Sequence, residues 1–236
     1  MSLIVFQHHP GEGASLIGAV MQNHGHRLRY VQVHEGQSVP LDLDEVDGVI
    51  SMGGAMNVGE TDQHPWIADE MAYLKRAHDA GLPIIGVCLG AQLLAAALGG
   101  KVEPMDKPEV GWGEVTLAFL GTIDPLYAGI TWKSMQFHMH GQQITELPPG
   151  AAPLASSAQC RTQAFKAGYR SYGFQYHLEW NRKQLEHFAH DALVQKAGAN
   201  ADQIVRQIDQ HYDGYRRRAK RLCERMALML MPIEKR

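Results

Sequence analysis

The sequence lacks what would place it in a membrane, in an oxidising compartment or on a polyanion. None of its apolar runs approaches the roughly 20 residues that span a bilayer, and the first strand-like run, Leu3 to Phe6, is too short for the apolar part of a secretory signal. Its three cysteines, Cys88, Cys160 and Cys223, are odd in number and widely spaced. That excludes a disulfide framework and a paired-cysteine zinc site, and leaves reduced thiols. A formal net charge of -3 supplies no global field for nucleic acid or an anionic bilayer. No phosphate-binding loop of the P-loop type occurs, and no repeat, low-complexity tract or Pro/Ser linker divides the chain. With 45% apolar and 20% charged residues, the 236 residues are expected to fold as one cytoplasmic domain, 1–236, without nucleic-acid or membrane partners.

What is present is an alternation. Short apolar runs at Leu3–Gln7, Leu28–Val33 and Val46–Met52 are separated by helical patterns, beginning with Ala14–Asn23, which argues for βαβ units. Ile67, Met71, Leu74 and His78 recur at three- and four-residue steps after Pro65, so a helix is expected there, stopped by Gly81 and Pro83. A buried strand, Pro83–Val87, then runs into an alanine- and leucine-rich helix, Ala91–Leu98. Beyond Lys101 the texture becomes β-like and broken by Gly and Pro, predicting smaller strands and loops that flank an open, mostly parallel sheet with helices on both faces. Residues 181–236 read as a helical C-terminal extension. Within it Ile204, Ile208, Tyr215, Leu222, Met226 and Leu230 share a face, with a break expected at Asp213-Gly214. The basic run Arg216–Arg221 reads as a solvated helix face.

Three short segments carry chemistry. Gly86-Val87-Cys88-Leu89-Gly90-Ala91-Gln92 lies where a buried strand meets a helix, with glycine two residues on either side of the cysteine. A lone cysteine is ordinarily a small buried hydrophobe. Flanking glycines at a strand–helix junction instead describe an elbow, in which a strained nucleophile sits at the positive end of a helix. Second, Gly173-Phe174-Gln175-Tyr176-His177-Leu178-Glu179 is an apolar strand ending in an imidazole and a carboxylate two residues apart. Both fall on one face if the strand persists. Such a pair can take a proton from a thiol and return it to a leaving amine. Third, Ser51-Met52-Gly53-Gly54-Ala55-Met56 follows a strand, and its glycines let the backbone approach a substrate.

Together these segments resemble the class I glutamine amidotransferases, whose nucleophile motif has the form Gly-x-Cys-x-Gly-x-Gln. Gly86, Cys88, Gly90 and Gln92 match it. His177 and Glu179 stand where the family has His-Pro-Glu, with Leu178 in place of proline. The resemblance covers roughly Leu3 to Trp180, through Glu109-Val110-Gly111-Trp112 and a His-containing loop at His138–Gln142. It implies a flavodoxin-like α/β fold with a small β flank and C-terminal helices, and a Cys88–His177–Glu179 triad that needs no cofactor. The oxyanion hole would be formed by Gly54 and Leu89, and Gly53, Gly54, Gln92, Met139 and His140 would bind substrate. The implied reaction hydrolyses the side-chain amide of glutamine through a cysteinyl thioester. Three readings stay open: a hydrolase of γ-glutamyl compounds, an amidotransferase serving a separate ammonia-acceptor synthetase subunit, and a non-catalytic binding module. A homodimer through the C-terminal stripe is a further open option. The His138-x-His140 pair has the spacing of metal ligands, but no third ligand is visible in the sequence, so no metal is assigned.

Overall fold

The computed structural model describes residues 2–233. The first half alternates as expected: β1 (Ser2–Gln7), α1 (Ser15–Asn23), β2 (Leu28–Gln32), β3 (Val46–Ser51), α2 (Trp66–Asp79), β4 (Ile84–Val87) and α3 (Leu89–Ala97). Leu3 and Val5 of β1 face one core and Ile4 and Phe6 the opposite one. A strand buried on both faces must be apolar at every position, which is why these runs do not alternate with polar residues. α1 packs its Leu16, Ile17, Val20 and Met21 on the first face, while α2 and α3 cover the second with Ile67, Tyr73, Leu74, Leu93 and Leu94.

The second half supplies β5 (Lys101–Leu117), α4 (Phe119–Ile123), β6 (Lys133–Glu146), β7 (Ala152–Ser156), β8 (Ala164–Ala167) and β9 (Ser171–Phe174). The nine strands among the described residues join one sheet in the order β2-β1-β3-β4-β9-β8-β7-β5-β6. The pairs from β2 through β9 are parallel, whereas β9-β8, β8-β7, β7-β5 and β5-β6 are antiparallel. The β flank is therefore larger than the sequence predicts. β5 was hidden by Pro104, Pro108, Gly111 and Gly113, and its ladder with β6 is irregular between Pro104 and Glu109, where the prolines are tolerated. The segment His138–Gln142, expected as a loop, lies inside β6 and is held by β5 in the register Glu109↔His140 and Gly111↔His138.

The C-terminal region contains α5 (Arg182–Phe188), α6 (Ala192–Lys196) and α7 (Ala201–Arg225), with a π-helical turn over Met226–Leu230. α7 runs unbroken through Asp213-Gly214, so the expected break is absent. One glycine in a helix interior costs about 1 kcal/mol, and a continuous buried stripe of Ile204, Ile208, Tyr215, Ala219, Leu222 and Cys223 outweighs it. That stripe is buried within the chain, its last three residues packing beside α1. The basic residues within Arg216–Arg221 are exposed or half-buried, with Arg221 donating to the Ala128 carbonyl at 3.1 Å. Among the described residues no helix is long and apolar enough to cross a membrane.

The nearest group that a β-carbon on Gly214 would meet is the guanidinium of Arg218, at 3.1 Å, and that flexible group can withdraw. Gly214→Ala is expected to stabilise the protein by about 0.5–1 kcal/mol, read as a higher urea midpoint at unchanged m-value.

Candidate active site

The parallel strands β1, β3, β4 and β9 all end on one side of the sheet, where open α/β folds place their ligands. Cys88 follows β4 directly and adopts φ 51°, ψ -108°, a backbone conformation that costs a non-glycine residue about 1–3 kcal/mol. Contacts on both sides enforce it. A β-carbon on Gly90 would lie 2.1 Å from the Ser51 carbonyl oxygen, and one on Gly86 would lie 2.6 Å from the Gly90 carbonyl oxygen. The Gly90 N–H donates to the Met52 carbonyl at 3.0 Å and the Cys88 N–H to the Phe174 carbonyl at 2.8 Å, which ties the turn to both neighbouring strands. Leu89 opens α3, so its N–H has no intrahelical acceptor and is free to meet an anion beside the thiol.

β9 stops at Phe174, three residues before His177, so the two-residue period does not place His177 and Glu179. Instead His177 pairs in an isolated bridge with Phe137 of β6. Both side chains are buried, and the imidazole Nδ1 lies 2.8 Å from Glu179 Oε1. Leu178 N–H donates to the other carboxylate oxygen at 2.9 Å. The His177 ring stacks on Trp180 at 3.6 Å, and Trp180 stacks on Phe188 at 4.2 Å. Burial alone lowers the pKa of His177, but the charges of the Glu179 carboxylate and of the Cys88 sulfur raise it well above the usual histidine value. The Cys88 sulfur also lies 3.6 Å from the Met139 carbonyl. By contrast burial pushes the Cys160 thiol up to about 12 and Cys223 further still, so neither competes as a thiolate.

Gly53 and Gly54 extend from β3 over the elbow. A β-carbon on Gly54 would come within 2.8 Å of Leu89 Cδ2, so this loop and the start of α3 are in contact. The loop is held from behind by a buried relay that sequence reading missed. His8 Nδ1 bonds the Gly53 carbonyl at 3.1 Å, its Nε2 lies 2.8 Å from Glu70 Oε2, and Ser51 donates to Glu70 Oε1 at 2.6 Å. Burial opposes protonation of His8, yet Glu70 leaves its pKa raised. Also missed was Glu12. A β-carbon on Gly53 would lie 2.1 Å from Glu12 Oε2 and 3.0 Å from His177 Cε1, which puts this carboxyl against both groups. Burial raises its pKa, with His177 pulling the other way. Its only signal in the sequence is position, in the turn-rich loop His8–Gly13 at the carboxyl end of a buried strand.

Glu12, Gly54, Cys88, Gln92, Met139 and His177 line a cavity of about 450 Å³, within the range of small-molecule sites. Of the expected substrate contacts, Gln92 uses its amide N–H groups internally, on the Gln142 carbonyl at 3.2 Å and Gln175 Oε1 at 3.1 Å. His140 borders the cavity, but its ring lies between the Gln142 carbonyl, 2.9 Å from Nδ1, and Glu109, 3.1 Å from Nε2. Both residues therefore shape the wall more than they offer free donors. Glu109 is held at about 2: burial opposes ionisation, but His140, His138 and Ser157 outweigh it.

The sequence pattern of the glutamine amidotransferase class-I family matches residues 13–196, and the chain belongs to that family. It is 28% identical over 190 residues to the glutamine amidotransferase-like protein YfeJ of Salmonella typhimurium, covering 79% of each chain. It is 33% identical over 172 residues to a glutamine-hydrolyzing GMP synthase subunit of Natronomonas pharaonis, covering 68% of this chain and 86% of that one. Of the longer bacterial GMP synthases that it matches, the chain spans 26–30%. In fold it is similar to the crystal structure of a glutamine amido transferase from Methylobacillus flagellatus, with a TM-score of 0.88 at 24% identity over 100% of this chain and 97% of that one.

Truncating one member of a buried pair strands the other. Glu70→Ala is expected to cost about 3–5 kcal/mol, measured by urea denaturation, and to loosen the Gly53-Gly54 loop, read as faster amide exchange there.

Proposed function

We propose that the chain hydrolyses the side-chain amide of glutamine to glutamate and ammonia through a thioester on Cys88. The observation that carries this reading is the strained Cys88 on the cavity wall beside an imidazole whose protonated form Glu179 favours. The Cys88 sulfur attacks the amide carbon, and His177 holds the thiol proton. The carbonyl oxygen becomes an oxyanion between the N–H groups of Leu89 and Gly54. His177 then gives the proton to the departing nitrogen, and ammonia leaves. Water, deprotonated by His177, attacks the thioester and releases glutamate with the thiol restored. Glu12 lies beside the reacting groups and supplies the negative charge for the substrate's α-ammonium. The GMP synthase subunit of Natronomonas pharaonis supports transfer of the ammonia to an acceptor carried by a separate synthetase subunit.

The second reading is a γ-glutamyl amide with a larger amine. The cavity favours it because its lining also takes in Asp106, Asp191 and Lys196, polar groups beyond those the glutamine reading uses. Assaying glutamine against γ-glutamyl peptides separates the two by their kcat/KM.

Cys88→Ala is expected to reduce glutamine turnover by at least about 10⁴-fold with an unchanged far-UV spectrum. Turnover within tenfold of the parent would refute the nucleophile. Failure of a diazo-ketone glutamine analogue to label folded wild-type protein would favour a non-catalytic binding module. Glu12→Gln is expected to raise the KM for glutamine about 10–100-fold with a smaller change in kcat. The Glu12 carboxyl is raised, so it protonates at higher pH than a free glutamate. The wild-type KM should accordingly increase as pH falls through that value, and the Gln variant should lack this limb of the profile.

A further inference from the structure

The antiparallel ladder between β5 and β6 sets Glu109 opposite His140 and Gly111 opposite His138. Two residues along a strand return to the same face, so Glu109, His138 and His140 project together on one side of the sheet. All three are buried, and one ligand atom from each lies within 4.8 Å of the others. Glu109 Oε2 is 3.1 Å from His140 Nε2 and 3.7 Å from His138 Nδ1.

The hydrogen bonding leaves this cluster incomplete. A carbonyl only accepts, so the 2.9 Å contact from His140 Nδ1 to the Gln142 carbonyl fixes the proton on Nδ1. A neutral His140 then points the lone pair of Nε2 at a carboxylate oxygen, which is also an acceptor. His140 Nε2 has no well-formed hydrogen bond. The ring of His138 is fully buried against Gly113, and neither ring nitrogen has a hydrogen-bond partner. Buried polar groups ordinarily find a partner. The outer support of a metal site is meanwhile in place. Ser157 donates to Glu109 Oε1 and Gln163 to Oε2, each at 2.7 Å, while the far nitrogen of His140 is bonded to a backbone carbonyl.

We propose that Glu109, His138 and His140 bind a divalent transition-metal ion of the zinc type, with a fourth position open on the side where His140 meets the cavity. Bonds of about 2.0–2.1 Å in tetrahedral geometry put neighbouring ligand atoms about 3.4 Å apart, and the two observed separations bracket that value. Two neutral imidazoles and one carboxylate suit Zn(II) in both charge and donor type. The ion pins β6 to β5 on either side of Met139, whose carbonyl contacts the Cys88 sulfur, and so fixes that strand against the nucleophile. It is a positioning site, and it stands whether or not the chain hydrolyses glutamine.

The test is titration of chelator-treated, full-length protein with Zn(II), followed by zinc K-edge absorption of the loaded protein. Wild type and Cys88→Ala should each bind one equivalent with equal affinity, with imidazole and oxygen scatterers and no sulfur shell. His138→Gln should weaken binding by at least about 10–100-fold. Should that variant fail to fold, the absorption spectrum of the wild-type protein decides alone. Absence of stoichiometric binding to wild type overturns the site. A sulfur shell, or binding lost in Cys88→Ala, would place the ion on the thiol and also overturn it.

Discussion

The close approach of the first turn of α3 to the end of β3 governs the rest of the site. Gly90 lies so near the Ser51 carbonyl that no side chain fits between them, and Gly86 has the same relation to the Gly90 backbone. The chain can leave β4 and enter α3 within that space only if Cys88 adopts a left-handed backbone conformation. Three consequences follow from this one contact. The thiol projects from the end of the sheet, the N–H of Leu89 at the helix start lies beside it, and the segment after β3 is drawn across the same point as the Gly53-Gly54 loop. Strain at Cys88 persists because glycine contacts and two backbone hydrogen bonds over-determine the turn.

The mixed sheet supplies the remaining groups. β4 lies between β3 and β9, so the elbow has the Gly-Gly loop on one side and the continuation of β9 on the other. That continuation leaves the ladder before reaching His177 and is caught by Phe137 of β6. An antiparallel strand from the flank is thus brought beside the ends of the parallel strands, with Met139 and His140 on it. The groups gathered here are ionisable and nearly all buried, which is costly unless each has an opposite charge or a donor. His177 has Glu179, and His8 has Glu70, which also accepts from Ser51. Among the described residues Glu12 has no side-chain hydrogen-bond partner, which is why a cation arriving with the substrate is proposed for it.

Local signals were legible in the sequence wherever a short segment carries its own geometry. The elbow, the helix after Pro65 and the strands of the parallel half depend on runs of neighbouring residues, and they appear within a residue or two of where periodicity puts them. β5 and β6 depend on each other. Their prolines and glycines read as loop until the partner strand is known, and the histidine segment was misassigned for the same reason. Gly214 misled in the opposite direction, because a helix breaker is a local signal and the stripe that overrides it is built across distant elements. The His8–Glu70 pair and the convergence of Glu109 on His138 and His140 were invisible because nothing in their spacing along the chain encodes their meeting, and Glu12 had no signal beyond its place in the loop after β1.

Leu178 shows how a departure from a family pattern can be read from geometry. A carboxylate that orients an imidazole must itself be held, and its two oxygens need separate donors. Here Oε1 of Glu179 takes the bond to His177, and Oε2 accepts the N–H of Leu178. A proline at this position would have no N–H to give, so Oε2 would have to find its donor elsewhere. The leucine side chain is itself buried in the core beside Tyr176, which anchors the segment by packing where a proline ring would do so by restricting the backbone. Replacing proline with leucine therefore exchanges backbone stiffness for a hydrogen bond and apolar contact, and the carboxylate remains fixed against the ring.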